Sequence, residues 1–242
     1  MILAQLPSPA RRLASAGLVA LLVAACAPAV APSPSSTVMP TIPPTAPAFT
    51  LGATPSSCPT TAPSPMAAGT TATVTMTTNF GNIVIKVVAD DGPNAAGAFM
   101  ALVNCGYYDN ILFHRIIAGF VIQAGDGDNA RLPNLIPDKM GQGGPSWSIP
   151  DDKATASFKR GMLAMANKAA VNTGSSQFFI VLSDTNTLAQ AVPPYAVFGS
   201  VTSGMDVVDR IAQTPVGGAP DAQGKVTMPL NPVVITSTTV TP

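Results

Sequence analysis

The chain is 242 residues long, with 10% charged side chains, a formal net charge of zero, 25 prolines and 3 cysteines. A length of this order suits one domain with an appendage. Lysines and arginines balance the acids at 12 each, leaving no basic face for nucleic acid, and a single histidine excludes a His-rich metal site.

Arg11 and Arg12 precede a short apolar run, Leu13 to Ala25, which ends Val23-Ala24-Ala25-Cys26. The run is too short for a permanent membrane helix but suits the core of a signal peptide. Small residues directly before a cysteine resemble a bacterial lipobox. Residues 1–25 are therefore read as a lipoprotein-type signal and Cys26 as the acylated mature N-terminus. The alternative is an ordinary secretory signal with an incidental Cys26. Removal of the signal takes Arg11 and Arg12 with it, leaving 10 basic against 12 acidic residues, a net charge of −2. The expectation is an exported protein held by lipid to the outer face of the cell membrane, or to the periplasmic face of an outer membrane.

Residues 27–70 are almost entirely Ala, Pro, Ser and Thr. Such a stretch buries too little apolar surface to offset its ordering entropy, so residues 26–70 are expected to be a disordered, solvated linker. Cys58 and Cys105 remain for an oxidising compartment. A bridge between them would contribute ~4 kcal/mol by loop entropy. Two unpaired thiols, with Cys105 simply buried, are the other reading.

From Thr71 the composition turns to β-branched residues, which marks 71–242 as the folded domain. Thr71 to Thr77 and Ile83 to Val88 flank Asn79-Phe80-Gly81-Asn82 and read as a hairpin. Asp91-Gly92-Pro93 opens a helix whose apolar stripe is Ala95, Phe99, Leu102 and Val103, with Gly106 as a left-handed stop. Strands are expected at Leu112 to Ile116, Phe120 to Gln123, Met162 to Ala166, Phe178 to Leu182, Ala196 to Val201 and Val233 to Thr239. A second helix is expected over about Gly204 to Gln213, with Met205, Val208 and Ile211 buried. Many short strands with two helices point to a mainly β, closed antiparallel barrel. The segment from Gly127 to Lys159 has little periodicity, and a loop of that length is usually functional.

Three blocks carry the chemistry. The first is Leu112-Phe113-His114-Arg115-Ile116-Ile117-Ala118-Gly119-Phe120-Val121-Ile122-Gln123-Ala124-Gly125-Asp126. The second joins Gly161-Met162-Leu163-Ala164-Met165-Ala166-Asn167 to Ser175-Ser176-Gln177-Phe178-Phe179-Ile180, and the third is Tyr195-Ala196-Val197-Phe198-Gly199. In this order they resemble the cyclophilin family of peptidyl-prolyl cis-trans isomerases, over about Thr71 to Pro242. The resemblance implies eight strands in a closed barrel with the helices capping its ends.

It also implies a mechanism without nucleophile, metal or cofactor. Rotation of a peptide bond is opposed by a barrier of ~18–20 kcal/mol from amide resonance. Twisting frees the prolyl nitrogen as a hydrogen-bond acceptor, so a fixed cationic donor there favours the transition state over either ground state. Arg115 is that donor by resemblance, Gln123 anchors substrate and orients Arg115, and Phe120 completes the catalytic set. Phe120, Val121, Phe179 and Leu188 would wall the proline pocket. Ala166 and Asn167 would grip the residue before proline by backbone pairing. Gln177 would lie across the groove, and Tyr195 stands where many members carry histidine. Gly141-Gln142-Gly143-Gly144 and Ile149-Pro150-Asp151-Asp152 are similar to loops that border the groove. Ala118 departs from the usual proline, the segment after Asn167 is one residue longer, and Thr187 replaces a tryptophan, which implies weak cyclosporin binding.

The implied partners are proline-containing polypeptides and a membrane reached through the lipid anchor, with a monomer expected. The competing function is a proline-peptide-binding or chaperone module with little turnover; Arg115, Phe120 and Gln123 together favour the enzyme. His114 is expected to point away from Arg115 as a buried, hydrogen-bonded residue. Asp126-Gly127-Asp128-Asn129 lacks the later glutamate of a calcium loop, so no metal is expected.

Overall fold

The computed structural model describes residues 57–155, 157–221 and 224–241. Residues 1–25 and Cys26, the expected signal and acylation site, lie outside the described residues.

Strands β1 (Thr71–Thr78) and β2 (Gly81–Val88) form the opening hairpin, paired from Thr71 against Val88 to Thr78 against Gly81. The turn is therefore only Asn79-Phe80, tighter than the sequence suggested. Helix α1 (Pro93–Asn104) follows, with proline in its first turn and Gly106 at φ 71° beyond its end. Next come β3 (Ile111–Leu112), β4 (Arg115–Ile117) and β5 (Val121–Ala124). After the long loop stand β6 (Met162–Met165), β7 (Phe178–Val181) and β8 (Val197–Ser203), then α2 (Met205–Ala212). The chain ends with β9 (Val216–Gly217), β10 (Met228–Pro229) and β11 (Val234–Thr241).

Nine of these strands make one antiparallel sheet in the order β3-β11-β1-β2-β8-β6-β7-β5-β4, and β9 pairs with β10 separately. The architecture is mainly β with two helices. The expected eight-stranded closed barrel is approximate. The sheet's two end strands, β3 and β4, are consecutive in the chain, separated by Phe113 and His114. β3 pairs with β11 and β4 with β5, but not with each other, so Phe113 and His114 carry the chain from one end of the sheet to the other. The expected single strand at Leu112 to Ile116 is broken there: Phe113 N donates to Val233 O, whereas Ile116 N donates to Thr227 O.

Side-chain alternation divides the residues into two clusters. Ile116, Ile122, Leu163, Met165, Phe178, Ile180 and Phe198 point inward and pack with β1, β2 and both helices. Phe99 of α1 plugs this core, its ring centroid 5.2 Å from Tyr108, 5.5 Å from Phe178 and 5.1 Å from Phe198. α2 contributes Val207, Val208 and Ile211, with Met205 only half-buried.

Of the expected linker, residues 26–56 lie outside the described residues, and residues 57–70 are mostly exposed but tied to the domain at a few points. The contacts are made around Cys58-Pro59 and Ser64-Met66. Cys58 and Cys105 form a disulfide with Cα atoms 5.1 Å apart, Trp147 Nε1 donates to Pro59 O at 2.9 Å, and Met66 N donates to Pro93 O at 2.9 Å. Gly97 in α1 makes the approach possible, because a Cβ there would collide with the Ser64 carbonyl. The segment stays largely solvated, as its composition implies, while these tertiary contacts fix its course.

Candidate active site

The second cluster sits on the outer face of the sheet. In cross-strand register, Arg115 stands opposite Gln123, Gln123 opposite Phe179, and Phe179 opposite Ala164. Neighbouring strands lie about 4.8 Å apart, so this row places an arginine roughly 10 Å from a phenylalanine, with an amide between them. Period-two alternation adds Val121 and Val181 to the same face.

The apolar side of the row is closed by loops. Val121, Phe158, Ala164, Phe179, Val181, Leu188 and Val197 are buried together, and Phe120, Ala166 and Tyr195 pack against them. Tyr195 meets Phe179 edge-on at 5.1 Å. Leu188 begins a short 3-10 turn, Leu188–Gln190, which lowers it onto the patch. Phe120 lies in the turn between β4 and β5, not within a strand as expected. Its amide donates to Ile117 O at 3.0 Å and its carbonyl accepts from Leu182 N at 2.8 Å. These bonds hold the turn without the proline that Ala118 replaces. Phe158, 6.5 Å from the Phe179 ring centroid, supports the patch and was not among the expected residues.

The polar side departs from expectation. Gln123 does not bond Arg115; its Nε2 donates to Gln177 Oε1 at 2.9 Å. Gln177 in turn donates to Gly141 O at 3.0 Å and Gly143 O at 2.8 Å. Gln177 is thus a direct neighbour of Gln123 that ties the glycine loop to the row. Arg115 is held by Asp221, Nη2 to Oδ2 at 3.4 Å.

The glycine loop has a second anchor that the sequence reading missed. The buried Asp126 carboxylate accepts from Asp128 N, Asn129 N, Gly141 N and Gly143 N, at 3.1, 2.9, 2.7 and 3.1 Å. A Cβ on Gly143 would collide with that carboxylate. The Asp-x-x-Asn spacing was the available signal, since an aspartate commonly caps the amides that follow it. Among the described residues no cluster of acidic, histidine or cysteine side chains could hold a metal.

At the other margin, Ile149, Pro150, Asp151 and Asp152 share a cleft with Ala166 and Asn167. Ala166 N donates to Gln177 O at 2.8 Å, so that amide belongs to the sheet and is not open to a peptide. Backbone pairing to a ligand would have to use other groups of this edge. The Asn167 side chain is turned onto its own surroundings, with Nδ2 donating to Pro194 O at 3.4 Å and Oδ1 accepting from Ala169 N at 3.1 Å. Asp151 and Asn172 exchange hydrogen bonds of 2.9 and 3.0 Å, which fixes the longer loop after Asn167.

His114 is buried, as expected of a residue alternating with Arg115, but neither ring nitrogen finds a hydrogen-bond partner among the described residues. Burial pushes its pKa down to about 4; the Asp126 charge opposes this, and Arg115 reinforces it. The ring is therefore neutral near pH 7.

Residues 73–240 match the family described as cyclophilin type peptidyl-prolyl cis-trans isomerase/CLD. The chain belongs to this family. A peptidyl-prolyl cis-trans isomerase of Arabidopsis thaliana is 39% identical over 171 residues, covering 66% of this chain and 98% of that one. One from Helicobacter pylori is 38% identical over 147 residues, 59% of this chain and 82% of its own. The crystal structure of a Cryptosporidium parvum cyclophilin-type isomerase superposes with a TM-score of 0.57 at 27% identity, covering 72% of this chain and 99% of that one. Membership of the cyclophilin family makes the chain an isomerase by class, and the Arg115 row combines a cation, an amide and an apolar patch on one face of the sheet.

Proposed function

We propose that this cyclophilin binds X-Pro segments of exported polypeptides on the outer face of β4, β5, β7 and β6 and speeds their cis-trans exchange. The observation that carries the reading is the register row Arg115, Gln123, Phe179, Ala164, which sets a charged donor beside a buried apolar surface. The proline ring would rest on Phe120, Val121, Phe179 and Leu188. The Arg115 guanidinium would donate to the prolyl nitrogen as resonance is lost, and Gln123 and Gln177 would fix the chain on the polar side. The Cryptosporidium parvum relative, solved in the presence of the dipeptide Ala-Pro, superposes with a TM-score of 0.51 at 26% identity and supports the substrate class. The deciding measurement is an isomerisation assay of the full chain on a short Ala-Pro peptide, with chelator present. Rapid exchange is expected, and a folded protein without activity would overturn the reading.

The signal-like stretch before Cys26 supports a second part of the proposal. The protein would be acylated at Cys26, work as a monomer, and hold its catalytic domain outside the membrane on the intervening chain. Among the described residues no helix is long and apolar enough to cross a membrane. Intact-mass analysis of membrane-extracted protein should find lipid on Cys26. A Cys26→Ser chain that stays in the membrane fraction would refute the anchor.

A further inference from the structure

We infer that Asp221 is a positioning residue for Arg115, an inference that rests on the isomerase reading and adds a residue to it. Arg115 is unbranched, long and only partly covered, with 24% of its side chain exposed. Such a side chain needs a partner to hold one direction. The partner expected from the resemblance, Gln123, is committed to Gln177. Among the described residues the guanidinium's polar contact is Asp221, whose side chain is 18% exposed.

The Asp221 carboxylate is itself built into the fold. Its Oδ1 accepts from Lys225 N at 2.9 Å, its own amide donates to Lys225 O at 2.7 Å, and Gly224 N donates to its carbonyl at 2.8 Å. The segment that carries it is closed at its base by β9 and β10, where Val216 pairs with Pro229 and Gly217 with Met228. It is docked on β4 one residue from Arg115, because Ile116 N donates to Thr227 O at 2.8 Å. Ile116, Ile117, Lys225 and Val226 also line a shared cavity of about 160 Å³, so the two segments lie side by side. One carboxylate oxygen therefore secures its own turn while the other faces the guanidinium. The single contact to Nη2 leaves most of the five N–H donors of Arg115 available for a twisted amide. A bidentate pair would occupy one whole edge of the fork.

A residue that acts through Arg115 should matter only while Arg115 is present. The test is a double-mutant cycle on the full chain with Asp221→Ala, Arg115→Ala and the double variant, reading kcat and KM separately on an Ala-Pro peptide. Asp221→Ala is expected to lower kcat by about tenfold with KM nearly unchanged. In the Arg115→Ala background the same change should have no further effect. Asp221→Asn, which keeps one side-chain oxygen and so can meet either Lys225 N or the guanidinium but not both, should recover part of the rate. The inference is overturned by an unchanged Asp221→Ala enzyme, by a faster one, or by an equal loss in both backgrounds, which would mark a structural role. If Asp221→Ala does not fold, the Asp221→Asn pair of backgrounds gives the same comparison. An inactive wild-type chain would overturn the isomerase reading itself, whereas an active wild type with a silent Asp221 would overturn only this inference.

Discussion

Arg115 and Gln123 face each other directly across the β4–β5 ladder, yet no side-chain hydrogen bond joins them. Each is drawn outward instead, the guanidinium to Asp221 and the amide to Gln177. The gap between them is thus bounded on both sides by groups whose directions are fixed from elsewhere. A peptide laid over the row would meet a donor already aimed, which is the condition for electrostatic stabilisation without reorganisation.

Arg115→Ala should lower kcat/KM at least tenfold, equivalent to ~1.4 kcal/mol of transition-state stabilisation. The fold should persist, because the side chain lies on the outer face and its ion pair is partly exposed. Stopped-flow kinetics with a circular-dichroism control checks both halves. A full rate in the variant would remove Arg115 from the chemistry.

Gln177→Leu should act differently, on binding and stability together. It strands the Gly141 and Gly143 carbonyls and the Gln123 amide, three groups that now share one side chain. These groups are half-buried, so leaving them unpaired should cost about 1 kcal/mol, the low end for unpaired polar groups, which urea titration would register as a lower midpoint. The loosened glycine loop should raise KM more than it lowers kcat. A variant as stable as wild type with unchanged KM would refute the relay.

The parts of the site visible in the sequence are those governed by alternation. Val121 and Gln123 share a face because they are two apart, and Arg115 joins them through a turn whose length sets the register. Asp221 was invisible for a physical reason: it lies 106 positions from Arg115, and no local pattern says where its turn will dock. The contacts ahead of Thr71 were hidden for the same reason. Ser64 and Met66 look like linker residues until Gly97 gives their backbone a place to lie. The break between β3 and β4 follows from sheet closure, which alternation within a single strand cannot report.

His114 should make stability depend on pH below neutrality. Its folded pKa is lowered from 6.5 to about 4 by burial, so the unfolded chain binds the proton more readily. The stabilising contribution is complete above pH 6.5 and is lost as pH falls towards 4, by up to about 3 kcal/mol. Because His114 is the chain's single histidine, a His114→Gln variant isolates the effect. Urea midpoints of wild type and variant should diverge in their pH dependence between pH 6.5 and 4.5. Parallel curves over that interval would show that the ring is not held neutral by burial.

Reduction of Cys58–Cys105 should weaken the domain without unfolding it. The bridge closes a loop of 47 residues, worth ~4 kcal/mol on the loop-entropy estimate. Contacts independent of the sulfurs remain, since Trp147 still holds Pro59 and Met66 still donates to Pro93. These should keep residues 59–66 on α1 in the reduced protein at moderate temperature, and the Arg115 row should stay active because none of its residues touches the bridge. Native protein should show no free thiol from this pair until a reductant is added. Thermal melts with and without reductant should then differ clearly in midpoint, while the isomerisation rate at 25 °C changes little. Two reactive thiols in untreated protein would refute the bridge, and loss of activity on reduction would show that the N-terminal segment supports the site as well as the fold.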